Sequence, residues 1–170
     1  MQNGMGYTTM IKARSMFRLF AISGAVAIMY GTALAQVIPK TAVLPNPKHA
    51  MFILPKDLKW KREGLGQWQA SLFGDPSKPG PYGILIKWTP GTMSRPHTHS
   101  TDRWAYVVKG TWWVSTSDHY DPATTYPLPA GTFAVDFAGK VHWDGAKDEE
   151  VILEVVGMGP ADTVLVPEKK

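Results

Sequence analysis

What most limits the fold of this chain is its rhythm from Leu58 onward. Short runs of aromatic and β-branched residues are broken every few positions by Gly, Pro or Asp. Such runs turn alternate residues to opposite faces and suit strands, not helices. Strands are expected at Leu58–Arg62, Trp68–Phe73, Gly83–Thr89, Arg103–Val108, Thr111–Ser115, Thr132–Asp136 and Val151–Val156. Lys109-Gly110 reads as a tight hairpin turn between two of them, and Gly74–Pro81 and Ser117–Thr125 read as loops. Within Gly83–Thr89, Ile84, Ile86 and Trp88 share one face, while Lys87 takes the other. No segment carries a useful helical period, and no internal repeat is present. Many short strands at even spacing call for a sandwich or barrel, so residues 58–170 are read as one all-β domain.

The N-terminal part has a different character. Lys12, Arg14 and Arg18 precede an uncharged, mostly apolar run from Leu19 to Met29, and Ala33 and Ala35 follow as small residues. That order is the layout of a secretory signal peptide over residues 1–35, with cleavage expected after Ala35. The apolar run is too short for a membrane-spanning helix of about 20 residues. An uncleaved anchor is the competing reading, because no charge occurs between Arg18 and Lys40. Export implies the periplasm or secretion, without stable membrane insertion after cleavage. Residues 36–57 carry Pro39, Pro45, Pro47 and Pro55 and read as an extended arm.

Removing the signal also removes the positive charge. The chain has 18 basic and 14 acidic residues, but Lys12, Arg14 and Arg18 fall in the removed part, which has no acidic residue. The remainder is close to neutral and shows no basic stripe, so no nucleic-acid partner is expected. Cysteine is absent. Neither disulfides nor thiolate chemistry are available, and any metal site must use nitrogen and oxygen donors.

Three of the five histidines stand where such donors would. His97 and His99 are one residue apart, which on an extended strand puts both rings on one face, and Pro96 disfavours a helix there. The surrounding spacing is more specific. Gly91, His97, His99, Arg103 and Gly110 are separated by five, one, three and six residues. Gly131, Phe137, Gly139 and His142 are separated by five, one and two. These two frames resemble the first and second motifs of the cupin family. The resemblance implies a jelly-roll β-barrel, often a homodimer, in which His97, His99 and His142 hold one divalent ion. His49 and His119 are read as exposed and unliganded.

Three positions depart from the pattern. Phe137 replaces the usual proline and Ala146 the usual asparagine of the second motif. Arg103 replaces the glutamate that is usually a ligand in the first motif, and arginine has no lone pair to offer. Arg103 is therefore a candidate clamp for a substrate anion. Two alternatives stay open: a bulge turns Asp102 inward as an oxygen ligand, or no metal binds. Asp144 is a candidate general base, an acceptor that orients a histidine ring, or an exposed turn residue beside Gly145. Met93, Trp88 and Phe137 are candidates for an apolar pocket wall, and Tyr106 for packing.

Three imidazoles suit zinc, iron, copper, nickel or manganese alike. The leading functional reading is dioxygenase-like oxidation of a small anionic substrate. The alternatives are a redox-neutral metal-dependent lyase or isomerase, and a non-enzymatic metal- or ligand-binding cupin acting as sensor or carrier.

Overall fold

The computed structural model describes residues 39–64 and 66–167, so the signal segment and its cleavage point lie outside the described residues. The chain divides into two units, residues 1–44 and 45–170. In the described part of the first, a turn brings Ala42 N within 2.9 Å of the Pro39 carbonyl. In the second, residues 45–57 are exposed throughout and end in one turn of 3-10 helix, Pro55–Asp57. No helix among the described residues is long and apolar enough to cross a membrane.

Among the described residues twelve strands follow: β1 Lys61–Arg62, β2 Gln67–Phe73, β3 Gly80–Trp88, β4 Thr92–Met93, β5 His97–Thr98, β6 Arg103–Lys109, β7 Thr111–Ser115, β8 Tyr126–Pro129, β9 Phe133–Asp136, β10 Trp143–Ala146, β11 Val151–Gly159 and β12 Val164–Leu165. A six-stranded sheet runs β1-β2-β3-β11-β6-β9, and a four-stranded sheet runs β4-β10-β7-β8. β5 pairs with β12 in a short ribbon. All pairings are antiparallel.

Alternation builds the interior. Tyr82, Ile84, Ile86 and Trp88 of β3 lie beside Ala105 and Val107 of β6 and Val151, Leu153 and Val155 of β11. Trp112 and Ala146 close over them from the second sheet. Full burial of one such aliphatic side chain contributes about 1.5–3 kcal/mol, so this inner face is what holds the two sheets together.

The expected hairpin at Lys109-Gly110 is not one. β6 and β7 are consecutive but lie in different sheets, so the chain crosses here from one sheet to the other. Gly110 has φ +76°, and a Cβ there would stand 2.4 Å from the Glu150 carbonyl oxygen. Turn chemistry marks the corner, but its partner is set by sheet assembly. The expected strand Leu58–Arg62 shrinks to β1, an edge strand whose two residues are exposed. β5 realises the extended segment expected at His97, whereas the short strands β4, β8, β10 and β12 were not expected.

Candidate metal centre

His97 and His142 face each other across the seam between β5 and the start of β10. His97 N donates to the His142 carbonyl at 2.9 Å, and His142 N donates to the His97 carbonyl at 3.0 Å. This main-chain bridge brings the two rings to 4.4 Å between centroids. His99 completes the group, with centroids 4.8 Å from His97 and 5.1 Å from His142. All three residues are buried, and one ligand atom from each lies within 4.8 Å of the others.

Main-chain carbonyls fix the rings. His97 Nδ1 faces the Arg95 carbonyl at 2.7 Å, His99 Nδ1 faces that of Asp162 at 2.6 Å, and His142 Nδ1 faces that of Lys140 at 3.3 Å. A carbonyl can only accept, so each Nδ1 is the protonated nitrogen and Nε2 is left as a lone-pair donor. His99 Nε2 and His142 Nε2 are buried without a hydrogen-bond partner. Burial holds His97 below the ordinary histidine range. It lowers His99 to about 4, and the charge of Arg103 adds to that effect. Buried, neutral, unpartnered nitrogens are a fit for a metal ion and a poor arrangement without one.

The other candidate residues take definite places. Arg103 points inward, and one guanidinium nitrogen lies 2.9 Å from Asp136 Oδ2 in an ion pair that is largely buried. Its Nε is buried and unpartnered. Asp102 is exposed and accepts from Ala138 N at 2.7 Å, so the alternative that turns it inward does not hold. Asp144 is buried but orients no histidine. Ser94 Oγ donates to its Oδ1 at 2.9 Å and Trp112 Nε1 to its Oδ2 at 2.7 Å. Phe137 is 61% exposed and lines a separate pocket beside Asp136 and His142, not the one that holds His97 and His99, while Tyr106 lies 45% exposed on the outer face. His49 and His119 are exposed.

Trp88, His97, His99, Arg103 and Asp144 line one cavity of about 110 Å³. A larger groove of about 660 Å³ runs beside Phe52, Ile53 and Lys61, away from the histidines. The smaller cavity is the chemical one, because His97, His99, Arg103 and Asp144 meet in its wall. Trp88 Nε1, like Arg103 Nε, is a buried donor without a partner on its wall.

Several contributors were not picked out from the sequence: Asp136, Ser94, Trp112 and the C-terminal segment. That segment supplies the Asp162 carbonyl, and Thr163 and Leu165 add to the cavity wall. Only Asp136 had a signal, as a charged residue ending an expected strand with an apolar inner face.

Neither a protein-family model nor a curated protein sequence matches the chain. Solved structures do resemble it. The polyketide cyclase RemF from Streptomyces resistomycificus gives a TM-score of 0.60 at 16% identity, over 71% of this chain and 88% of that one. An RmlC-like cupin from Shewanella frigidimarina NCIMB 400 gives 0.52 at 17% identity, over 64% and 90%. The DMSP lyase DddQ from Ruegeria pomeroyi DSS-3 gives 0.53 at 16% identity, over 66% and 64%. Identities this low speak to architecture alone. With two antiparallel sheets closed around one interior and cupins among its structural neighbours, the chain is a cupin-fold protein.

Proposed function

We propose that this chain is a metal-dependent enzyme acting on a small anionic molecule by redox-neutral proton transfer. The observation that carries the reading is the shared cavity: it joins His97 and His99 to a cationic side chain, Arg103, and a carboxylate, Asp144. A cavity of about 110 Å³ is small beside the roughly 300–1,000 Å³ of pockets for drug-sized ligands, so it suits a small molecule. The unpartnered donors Arg103 Nε and Trp88 Nε1 call for an acceptor, which a carboxylate supplies. A bound divalent ion would supply Lewis acidity, polarising an oxygen of the ligand. Arg103 holds the anion, Trp88 and Ile86 exclude water on one side, and Asp144 receives the proton. Ser94 and Trp112 keep that carboxylate aimed while leaving lone pairs on both oxygens. The neighbours whose names say cyclase and lyase agree with chemistry of this kind on the same fold.

The dioxygenase-like reading stands second. Its support is the ligand set, three neutral imidazoles, which suits iron or copper as well as zinc or nickel. One experiment separates the two. Protein loaded in turn with zinc, nickel, manganese, iron and copper is offered two- to four-carbon carboxylates in deuterated water. Metal-dependent deuterium uptake next to the carboxylate, lost in Asp144→Asn and without oxygen consumption, is expected. Oxygen uptake coupled to substrate loss would establish the second reading, and ligand binding without turnover would leave a binding protein.

Export and pairing belong to the same proposal. Protein recovered from the periplasm or medium should begin at Gln36. A homodimer is supported by the exposed outer face of β6 and β9, where Trp104, Tyr106, Val108 and Phe133 are 41–62% exposed.

A further inference from the structure

Arg103 occupies the position at which the first motif usually carries a carboxylate, yet a carboxylate is present in the interior. Arg103 and Asp136 are direct partners across β6 and β9, and Asp136 is buried. Its Oδ2 lies 2.9 Å from the Arg103 guanidinium and 3.5 Å from His142 Nε2. His142 Nδ1 faces a carbonyl, and in the neutral tautomer that this favours, Nε2 presents a lone pair to another lone pair; it makes no hydrogen bond. Two buried acceptors that face each other are relieved by a proton on Nε2 or by a metal ion between them, and the three-histidine group around Nε2 favours the ion. The separation has the right size. Donors bound at about 2.1 Å in tetrahedral geometry stand about 3.4 Å apart.

Resting on the metal reading above, we propose that Asp136 is the fourth, oxygen ligand of the His97, His99 and His142 site, standing in from β9 for the carboxylate missing from β6, and that Arg103 competes with the ion for it. Oδ2 is then shared between a guanidinium and a metal. With glutamate at position 103, one negative charge would face the ion. Here Asp136 supplies that charge and Arg103 cancels it, so the site keeps an extra positive charge for an anionic ligand. An anion that draws Arg103 away frees Asp136 for the ion. Metal and anion therefore bind with positive coupling, and by linkage each strengthens the other.

The test uses the full mature chain and cobalt(II), whose visible absorption reports its ligands, with zinc affinity measured by competition against a chromophoric chelator. Wild type, Asp136→Asn, Arg103→Met and the double variant are compared, with circular dichroism as the check on folding. Asp136→Asn should weaken zinc by about 10-fold or more and alter the cobalt spectrum, whereas Arg103→Met should strengthen zinc. The decisive comparison lies in the Arg103→Met background, where Asp136 has no guanidinium to neutralise. A spectrum and affinity that still change with Asp136→Asn support ligation, and unchanged values overturn it. The double variant removes both buried charges together, so it stays informative if Asp136→Asn alone fails to fold. Wild type that takes up neither metal would overturn the metal reading and this one with it. Wild type that binds both with a spectrum indifferent to Asp136 would overturn only the ligand assignment.

Discussion

Lowering the pH of the metal-free protein should destabilise it in a window set by His99. In the folded chain burial, aided by the charge of Arg103, lowers this side chain from 6.5 to about 4. Above about pH 6.5 both folded and unfolded chains carry it neutral, and it adds no pH dependence. Between about 6.5 and 4 the unfolded chain binds a proton that the folded chain refuses, so stability falls as pH falls. Below about 4 both are protonated and the slope ends. At 1.36 kcal/mol per pKa unit the whole loss is about 3 kcal/mol, a large share of a domain's stability. His97, lowered by burial, adds to the effect in the same direction. The assay is urea unfolding of chelator-treated protein at half-unit steps of pH, followed by circular dichroism. His99→Asn is the control: its amide nitrogen can still donate to the Asp162 carbonyl, but it cannot take up a proton. The variant should lose most of the slope between about pH 4 and 6.5. Equal slopes in variant and wild type would refute the reasoning, because some other group would then be titrating.

Other outcomes follow from single contacts. Gly110→Ala should cost about 3 kcal/mol or more in urea unfolding, because a positive φ is unfavourable by about 1–2 kcal/mol and the new Cβ meets the Glu150 carbonyl at 2.4 Å. Trp112→Phe leaves Asp144 Oδ2 buried without its donor and opens space in the core. A loss of about 3 kcal/mol is expected, and thermal unfolding would show it. Phe133→Asp, on the outer face of β9, should shift the chain from dimer to monomer in sedimentation velocity with its β-structure intact. A wild type that sediments as a monomer would remove the dimer.

The long strands were legible because their period is long enough to see. Residues 84–88 alternate, and Ile84, Ile86 and Trp88 fall inside as their parity requires. β4, β5 and β12 have two residues each and can show no period. β8 holds Pro127 and Pro129, which hide a strand pattern and are tolerated because β8 is an edge strand. Within the site, His97, His99 and His142 were marked by spacing alone, and their meeting point by none of their neighbours. Choosing between Asp102 and Arg103 meant fixing a strand's phase to one residue, and a slip of one exchanges the two faces. Asp136 stands out only as a charge on an apolar strand face, and its pairing with Arg103 is a matter of register. The acceptors of the Nδ1 protons are main-chain groups, which no side-chain pattern reveals.

The paired amides of His97 and His142 have a use beyond placing two rings. They lie at a seam joining distant stretches of chain, so an ion gripped by both side chains would rivet that seam shut. Hydrogen exchange at these two amides should then slow on loading and quicken on chelation, giving a local gauge of occupancy that requires no knowledge of the substrate.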